Sequence, residues 1–119
     1  MVPLGPGRIF WAIDPAARGA GKSRPMIVAT RRVDILRTGV VVAVVCSTDF
    51  TEPLTPEEAR LPFEPEGRCV TKLRRDTVAV CDWIVTLPAD SIEETGGLVP
   101  SDLLREIFAR AGITLAPER

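Results

Sequence analysis

The sequence predicts a mainly β (α+β) protein, a small SH3-like β-barrel with a C-terminal α-helix. Segments rich in β-branched and aromatic residues recur along the chain and are separated by turns that contain glycine and proline. A single amphipathic helix is predicted close to the end of the chain. With 119 residues the chain has the length of one domain with one core, so we expect residues 1–119 to form a single domain.

The strand predictions rest on residue type and on the turn residues that follow. Asp14-Pro15 ends the first strand, because proline has no amide donor and restricts the residue before it. Residues 39–46 are apolar at every position, which indicates a strand buried on both faces. Strong strands are predicted at residues 8–13, 25–30, 39–46 and 76–83, and residues 84–87 either continue the last of them or pair after a bend.

Weaker patterns connect these strands. A polar connection with a helical turn is predicted at 31–38, and Thr55-Pro56 predicts a short helix that ends before Pro62. The remaining predictions are a short edge strand within 63–71, a loop over 88–97 and a last short strand at 98–99. The terminal helix is predicted at 101–111, with Ser101 as its N-cap and Gly112 after its last turn.

Residues 16–23 are predicted to form a glycine-containing loop between the first two strands. The pattern GxxxxGK[ST] of a P-loop is absent, because Pro15 and Ala16 stand where the first glycine would be. Gly19 and Gly21 are therefore interpreted as hinges of a flap and not as a nucleotide cradle.

Charge and composition limit the function classes. The net charge of −1 excludes a nucleic-acid-binding protein that is basic over its whole surface. Any nucleic-acid site would have to be a local patch of basic residues. The chain has no histidine, so catalysis would use carboxylates, arginine, lysine, hydroxyls or thiols. Basic residues form two groups, Arg18, Lys22, Arg24, Arg31 and Arg32, and then Arg68, Lys72, Arg74 and Arg75.

Cysteine usage predicts neither a metal site nor a disulfide framework. The three cysteines have no CxxC spacing, and Cys46 and Cys81 lie in apolar strands as expected for core thiols. We expect a reduced, cytoplasmic protein that needs no cofactor. The longest apolar run, Val40–Cys46, is too short to cross a membrane.

Taken in order, five segments of the chain resemble the MazF/PemK/Kid toxins. The resemblance spans nearly the whole sequence and implies a small barrel that forms a homodimer. It also implies a type II toxin that is a metal-independent, sequence-specific endoribonuclease acting on single-stranded RNA, with an antitoxin protein as its partner. The segments are GRIFWAIDP, SRPMIVAT, VVVAVVCST, VCDWIVTL and VPSDLLREI.

The resemblance also implies which residues act. The candidate catalytic residues are Arg24, Ser47 and Asp82. Arg24 belongs to the Arg-Pro pair, and Ser47 is at the position of the catalytic hydroxyl. Asp82 is at the position of an acidic residue of Kid-like members. Thr48, Lys22 and Arg18 are candidate RNA-binding residues, and the choice between Ser47 and Thr48 as the active hydroxyl stays open.

The implied reaction is attack of a ribose 2′-OH on the adjacent phosphate, which places negative charge on the phosphorane oxygens. A permanently charged guanidinium suits that charge, so Arg24 is expected to stabilise the transition state and not to act as a base. Asp82 is expected to be either half-buried, with a raised pKa that lets it transfer protons, or a strand-end aspartate that accepts hydrogen bonds from backbone amides.

Several positions depart from the family pattern. Val80 and Val85 replace two expected arginines, and Lys72, Arg74 or Arg75 is a candidate substitute. If that stretch is extended, Arg74 and Arg75 point to opposite faces. We expect Trp11 and Trp83 in the core or at an interface.

Two alternatives stay open beside the ribonuclease. One is a weakened or non-enzymatic binding module on the same barrel. The other is a gyrase-poisoning toxin of the CcdB type, whose Trp-Gly-Ile ending is absent here. The dimer is expected because Val40–Cys46 offers more apolar surface than one small barrel covers.

Overall fold

The structure of the protein is a computed structural model that describes residues 4–16 and 21–115. The chain begins with a hairpin of two strands and ends with a helix. In chain order they are β1 (Arg8–Ile13), β2 (Ser23–Val28), α1 (Arg32–Thr38), β3 (Val40–Ser47), β4 (Glu58–Leu61), β5 (Thr77–Pro88), a 3-10 turn (Ala89–Ser91), β6 (Glu94–Leu98) and α2 (Ser101–Ala111).

The strands form one six-stranded antiparallel sheet in the order β4-β5-β3-β2-β1-β6. The sheet curls, and the segment between β4 and β5 reaches across to β6, where Thr71 and Val70 carbonyls accept hydrogen bonds from Gly97 and Leu98. A Cβ on Gly97 would lie 2.0 Å from the Val70 oxygen, so only glycine permits this approach. The curled half-barrel with a C-terminal helix confirms the predicted fold class.

The core has two layers, one on each face of the sheet. Alternate residues of β3 contribute to each, with Val44 and Cys46 in the layer that contains Ile107 of α2 and Val45 in the layer that contains Ile35 of α1. The prediction that β3 is buried on both faces is confirmed. Because one protomer covers most of both faces, β3 offers exposed apolar surface for a dimer only at its start, where Val40 is 37% exposed.

Residues 55–61 were expected to begin a helix, and this prediction is wrong. The Thr55 amide does donate to the Glu58 carboxylate, at 2.9 Å, as in a helix start. However, Ala59 and Leu61 are buried by pairing with β5, and this burial outweighs the local turn signal. The predicted edge strand within 63–71 is also wrong, because those residues form no strand and Glu58–Leu61 occupies that edge of the sheet.

Other boundaries differ from the predictions by a few residues. Strand β2 begins earlier, at Ser23, and β6 begins at Glu94, inside the predicted loop, because its Gly96-Gly97 pair carries no strand signal. The N-cap of α2 is Pro100, and no side chain caps the helix, so the predicted role of Ser101 is wrong.

The end of α2 is as predicted. Gly112 adopts φ 71° after its last turn, a left-handed conformation that glycine tolerates.

In the described residues, 4–16 and 21–115, no helix has both the length and the hydropathy that crossing a membrane requires.

Candidate functional site

The candidate site lies where β2 and β3 separate. The two strands pair only from Met26↔Val45 to Val28↔Ala43. Before Met26, β2 follows β1 alone, and after Val45, β3 pairs with β5. The divergence leaves a cavity of about 340 Å³, called here the small cavity. Its lining residues are Trp11, Lys22, Ser23, Arg24, Pro25, Cys46, Ser47, Thr48 and Arg75.

Arg24 is half-buried in the wall of the small cavity and is held by an aromatic ring. Its guanidinium carbon lies 5.0 Å from the centre of the Trp83 ring, a cation–π contact. None of the carboxylates in the described part of the chain forms an ion pair with Arg24. Its charge is therefore available to a ligand in the cavity.

The two candidate hydroxyls are in different environments. Ser47 is 7% exposed, and its Oγ accepts a hydrogen bond of 3.0 Å from the Asp49 amide. Its hydroxyl also lies 3.4 Å from the Asp49 carbonyl, the local bonding that is common for serine at a strand end. Thr48 is exposed, and its side chain makes no hydrogen bond with the described residues. The Thr48 hydroxyl is the freer of the two.

A second, larger cavity continues from the first. It measures about 500 Å³ and shares Trp11, Thr48 and Arg75 with the small cavity. We call the two cavities together the groove. Lys72 and Arg74 also line the larger part. Residues 72–76 are not in a strand, so Arg74 and Arg75 both line the groove and the expectation of opposite faces does not apply.

The groove concentrates unpaired positive charge in a chain whose net charge is −1. Most arginines elsewhere are neutralised by ion pairs, namely Arg31, Arg37, Arg60, Arg68, Arg105 and Arg110. Within residues 4–16 and 21–115, by contrast, Lys22, Lys72, Arg74 and Arg75 form no ion pair. The two acidic residues that line the groove are Glu66, paired with Arg68, and Glu94. The arrangement suits a polyanionic ligand.

Asp82 lies apart from these residues. It is exposed, so the expected half-burial is wrong, and it lines neither cavity. The reason is a bulge in β5, where the register with β3 changes from Val44↔Ile84 to Cys46↔Ala79. Trp83, the next residue, contacts Arg24 instead.

The other positions singled out in the sequence have mixed placements. Lys22 is exposed and lines the small cavity, whereas Arg18 and Gly19 lie outside the described residues. Val80 pairs with Glu58 of β4, and Val85 packs on the core layer of Ile35.

Sequence reasoning missed the contacts that support Arg24. Trp83 Nε1 donates a hydrogen bond of 3.0 Å to Asp14 Oδ2, and Asp14 Oδ1 accepts one of 2.9 Å from the Ala16 amide. These residues come from opposite ends of the chain, and no local pattern signals that they meet.

The Cys46 thiol is buried beneath the small cavity. Burial raises the pKa of this thiol, and the nearby Cys81 raises it further. Cys46 is therefore a neutral thiol at physiological pH and not a nucleophile.

No group of three or more potential metal-ligating side chains occurs among the residues that the structure describes.

The structure thus combines a curled antiparallel sheet, a C-terminal helix and a basic groove where two strands separate. A family model described as "PemK-like, MazF-like toxin of type II toxin-antitoxin system" matches residues 6–115. The chain belongs to this family. The resemblance noted in the sequence is thereby confirmed.

Solved structures share the fold. MazF from Deinococcus radiodurans superimposes with a TM-score of 0.74 at 21% identity, over 94% of this chain and 96% of that chain. A MazE-MazF structure from the same organism gives 0.71 at 21% identity, over 94% and 95%. An endoribonuclease in complex with its cognate antitoxin, from a mycobacterial species, gives 0.65 at 19% identity, over 96% and 99%. No curated protein matches the chain.

Proposed function

We propose that this protein is a ribonuclease toxin that cuts single-stranded RNA at a short sequence without a metal ion. The 2′-OH of one nucleotide attacks the adjacent phosphate and expels the 5′-oxygen of the next, which leaves a 2′,3′-cyclic phosphate and a 5′-OH. The observation that carries the proposal is the position of Arg24, without an ion pair, beside Ser47 and Thr48 in one cavity.

The proposed roles follow from charge and exposure. Arg24 stabilises the phosphorane oxygens, since a guanidinium offers two parallel donors and stays charged. Thr48, whose hydroxyl is free, donates to a phosphate oxygen, and Ser47 shapes the wall through its turn with Asp49. Arg75 lines both cavities and supplies the second cation that Val80 does not.

The remaining site residues act around this centre. Lys22, Lys72 and Arg74 neutralise flanking phosphates along the groove, and Arg18 is proposed as a further RNA-binding residue. Asp82 lines neither cavity, so we assign it no proton transfer at the reacting phosphate. We expect Asp82→Asn to leave the kcat of RNA cleavage close to that of wild type.

We further propose that the toxin forms a homodimer and binds an antitoxin in the cytoplasm, where messenger RNA is available. The MazE-MazF and antitoxin complexes among the similar structures support such a partner. Exposed apolar side chains provide surface for these contacts, with Leu36 74% exposed and Ile13 and Ile84 each above 40%.

A cleavage assay tests the proposed reaction. Wild type should cut a single-stranded RNA in the presence of EDTA, and a 2′-deoxy nucleotide at the scissile position should block the cut. Arg24→Ala should reduce kcat by roughly 30- to 1,000-fold, about 2–4 kcal/mol of transition-state stabilisation.

The matched control is Arg32→Ala, because Arg32 is exposed, lies outside the groove and has no ion pair among the described residues. It should leave kcat unchanged. Intact RNA after incubation with wild type, or equal cleavage by Arg24→Ala, would refute the proposed reaction.

A binding module without nuclease activity is the second candidate. One observation favours it, since no carboxylate is among the described residues that line the small cavity. This candidate predicts that wild type binds RNA with the same dependence on Lys72 and Arg75 but leaves the strand intact.

A further inference from the structure

Two strand residues and one residue that directly follows a strand form one line of contacts behind the small cavity. Asp14 directly follows β1, Arg24 lies in β2 opposite Ala12, and Trp83 lies in β5. The Asp14 carboxylate accepts from Trp83 Nε1 at 3.0 Å, and the face of the indole ring lies 5.0 Å from the Arg24 guanidinium carbon. The carboxylate is itself oriented by the Ala16 amide at 2.9 Å.

The bulge in β5 makes this contact possible. In a regular strand, Cys81 and Trp83 would point to the same face. Here Cys81 lies in the core layer of Ile107, whereas Trp83 packs on the opposite layer beside Arg24. Residues 80–83 of β5 stand against the single residue Val45 of β3, and this insertion reverses the alternation. The bulge therefore aims the indole at the arginine.

These contacts reduce the freedom of a long side chain. An arginine side chain loses considerable rotamer entropy when it is fixed in one position. If the side chain were mobile in the free protein, this loss would add to the activation free energy of the reaction. A half-buried indole face attracts the guanidinium and excludes many of its rotamers. The carboxylate at the indole N–H fixes the ring and increases the electron density on its face.

We propose that Asp14 and Trp83 are positioning residues that hold the Arg24 guanidinium toward the small cavity. The inference rests on the proposed function of Arg24. It assigns neither residue a contact with RNA. Their effect on the reaction is exerted through Arg24, on kcat more than on KM.

Kinetics of RNA cleavage test this coupling. Trp83→Leu should lower kcat roughly tenfold with KM within about twofold, whereas Trp83→Phe, which keeps an aromatic face, should restore most of kcat. Asp14→Ala should lower kcat roughly threefold. Asp90→Ala, which removes an equivalent charge from an exposed turn, should leave kcat unchanged.

A double-mutant cycle separates positioning from general structural damage. In an Arg24→Ala background, Trp83→Leu should cause no further loss beyond about twofold, because the residue through which it acts is gone. An equal loss in both backgrounds would overturn the inference. Circular dichroism of each variant checks that the fold is retained.

A spectroscopic readout tests the geometry without any activity. In wild type, the side-chain NMR signals of Arg24 should be shifted upfield by the indole ring current. The shift should persist in Trp83→Phe and disappear in Trp83→Leu. If wild type cuts no RNA, the proposed function fails, and the NMR shift alone decides on the positioning contact. Arg24 signals without an upfield shift in wild type would overturn it.

Discussion

At the scale of single residues, the groove combines one arginine that is held by an aromatic ring with several cations that form no ion pair among the described residues. Arg24 is restrained by Trp83, whereas Lys22 and Arg75 extend from exposed positions without ion pairs among the described residues. A restrained guanidinium suits a reacting phosphate with defined geometry, and mobile cations suit flanking phosphates that differ between substrates. Under the proposed function, the restrained guanidinium would serve the reaction and the exposed cations would serve the capture of RNA.

Lys72 is an exception among the groove cations because its backbone is strained. Its φ of 59° is left-handed, which costs a non-glycine residue about 1 kcal/mol. We predict that Lys72→Gly is more stable toward urea than Lys72→Ala by about 1 kcal/mol, since both remove the charge and only one keeps the Cβ. RNA affinity should fall equally in both variants. Greater stability of the alanine variant would contradict the strain.

At the scale of secondary-structure elements, α1 is held by an acidic residue at its first turn. Asp34 accepts hydrogen bonds from Arg31 at 2.9 Å and from Arg37 at 3.3 Å. The hydrogen bond from Arg31 lowers the pKa of Asp34 from its ordinary value of 3.8, and Arg37 lowers it further, although partial burial opposes the shift. The folded helix therefore stabilises the charged form of the Asp34 carboxylate.

This shift predicts a pH-dependent contribution to stability. Because the pKa in the folded state lies below that in the unfolded chain, the stabilisation is complete above the unfolded pKa and is lost as pH falls through the folded one. Asp34→Asn should therefore lower the Tm at pH 7, and the difference from wild type should shrink between pH 5 and pH 3. The control is Asp90→Asn. A Tm difference that is constant over this range would contradict the assignment.

The elements also show what the sequence can and cannot predict. Strands β1, β3 and β5 and helix α2 were predictable because β-branched runs and helical periodicity mark them directly. Strand β4 was not, because the Thr55-Pro56 turn signal competes with pairing to β5, a contact remote in sequence. Arg24 and Ser47 were found through the family resemblance. The roles of Trp83 and Asp14 could not be predicted. Their contact joins residues 69 positions apart and depends on a β-bulge, and neither feature is marked by a local sequence pattern.

At the scale of the whole molecule, ion pairing converts an almost neutral chain into one with a basic groove. The formal charge of −1 conceals this, since acidic residues neutralise arginines on other surfaces and leave the groove cations unpaired. Binding of RNA should consequently depend on a few local phosphate contacts.

This distribution predicts a moderate salt dependence. Each phosphate neutralised on a single strand contributes about −0.7 to the slope of log K against log salt. The six cations assigned to phosphates therefore predict a slope of about −4, namely Arg18, Lys22, Arg24, Lys72, Arg74 and Arg75. Anisotropy of a labelled, non-cleavable 2′-deoxy oligonucleotide measures it. Alanine at any one of these positions should reduce the magnitude by about 0.7, and Arg32→Ala should not. A slope near zero would rule out the groove as the RNA site.

The separation of β2 and β3 explains where the small cavity begins. Beyond Met26↔Val45, the main-chain edges of the two strands face a gap, with no hydrogen bond across it among the described residues. The gap therefore begins where the strand pairing stops, and side chains from both strands line it. MazF of Deinococcus radiodurans has the same fold at 21% identity, so this fold tolerates the exchange of about four residues in five.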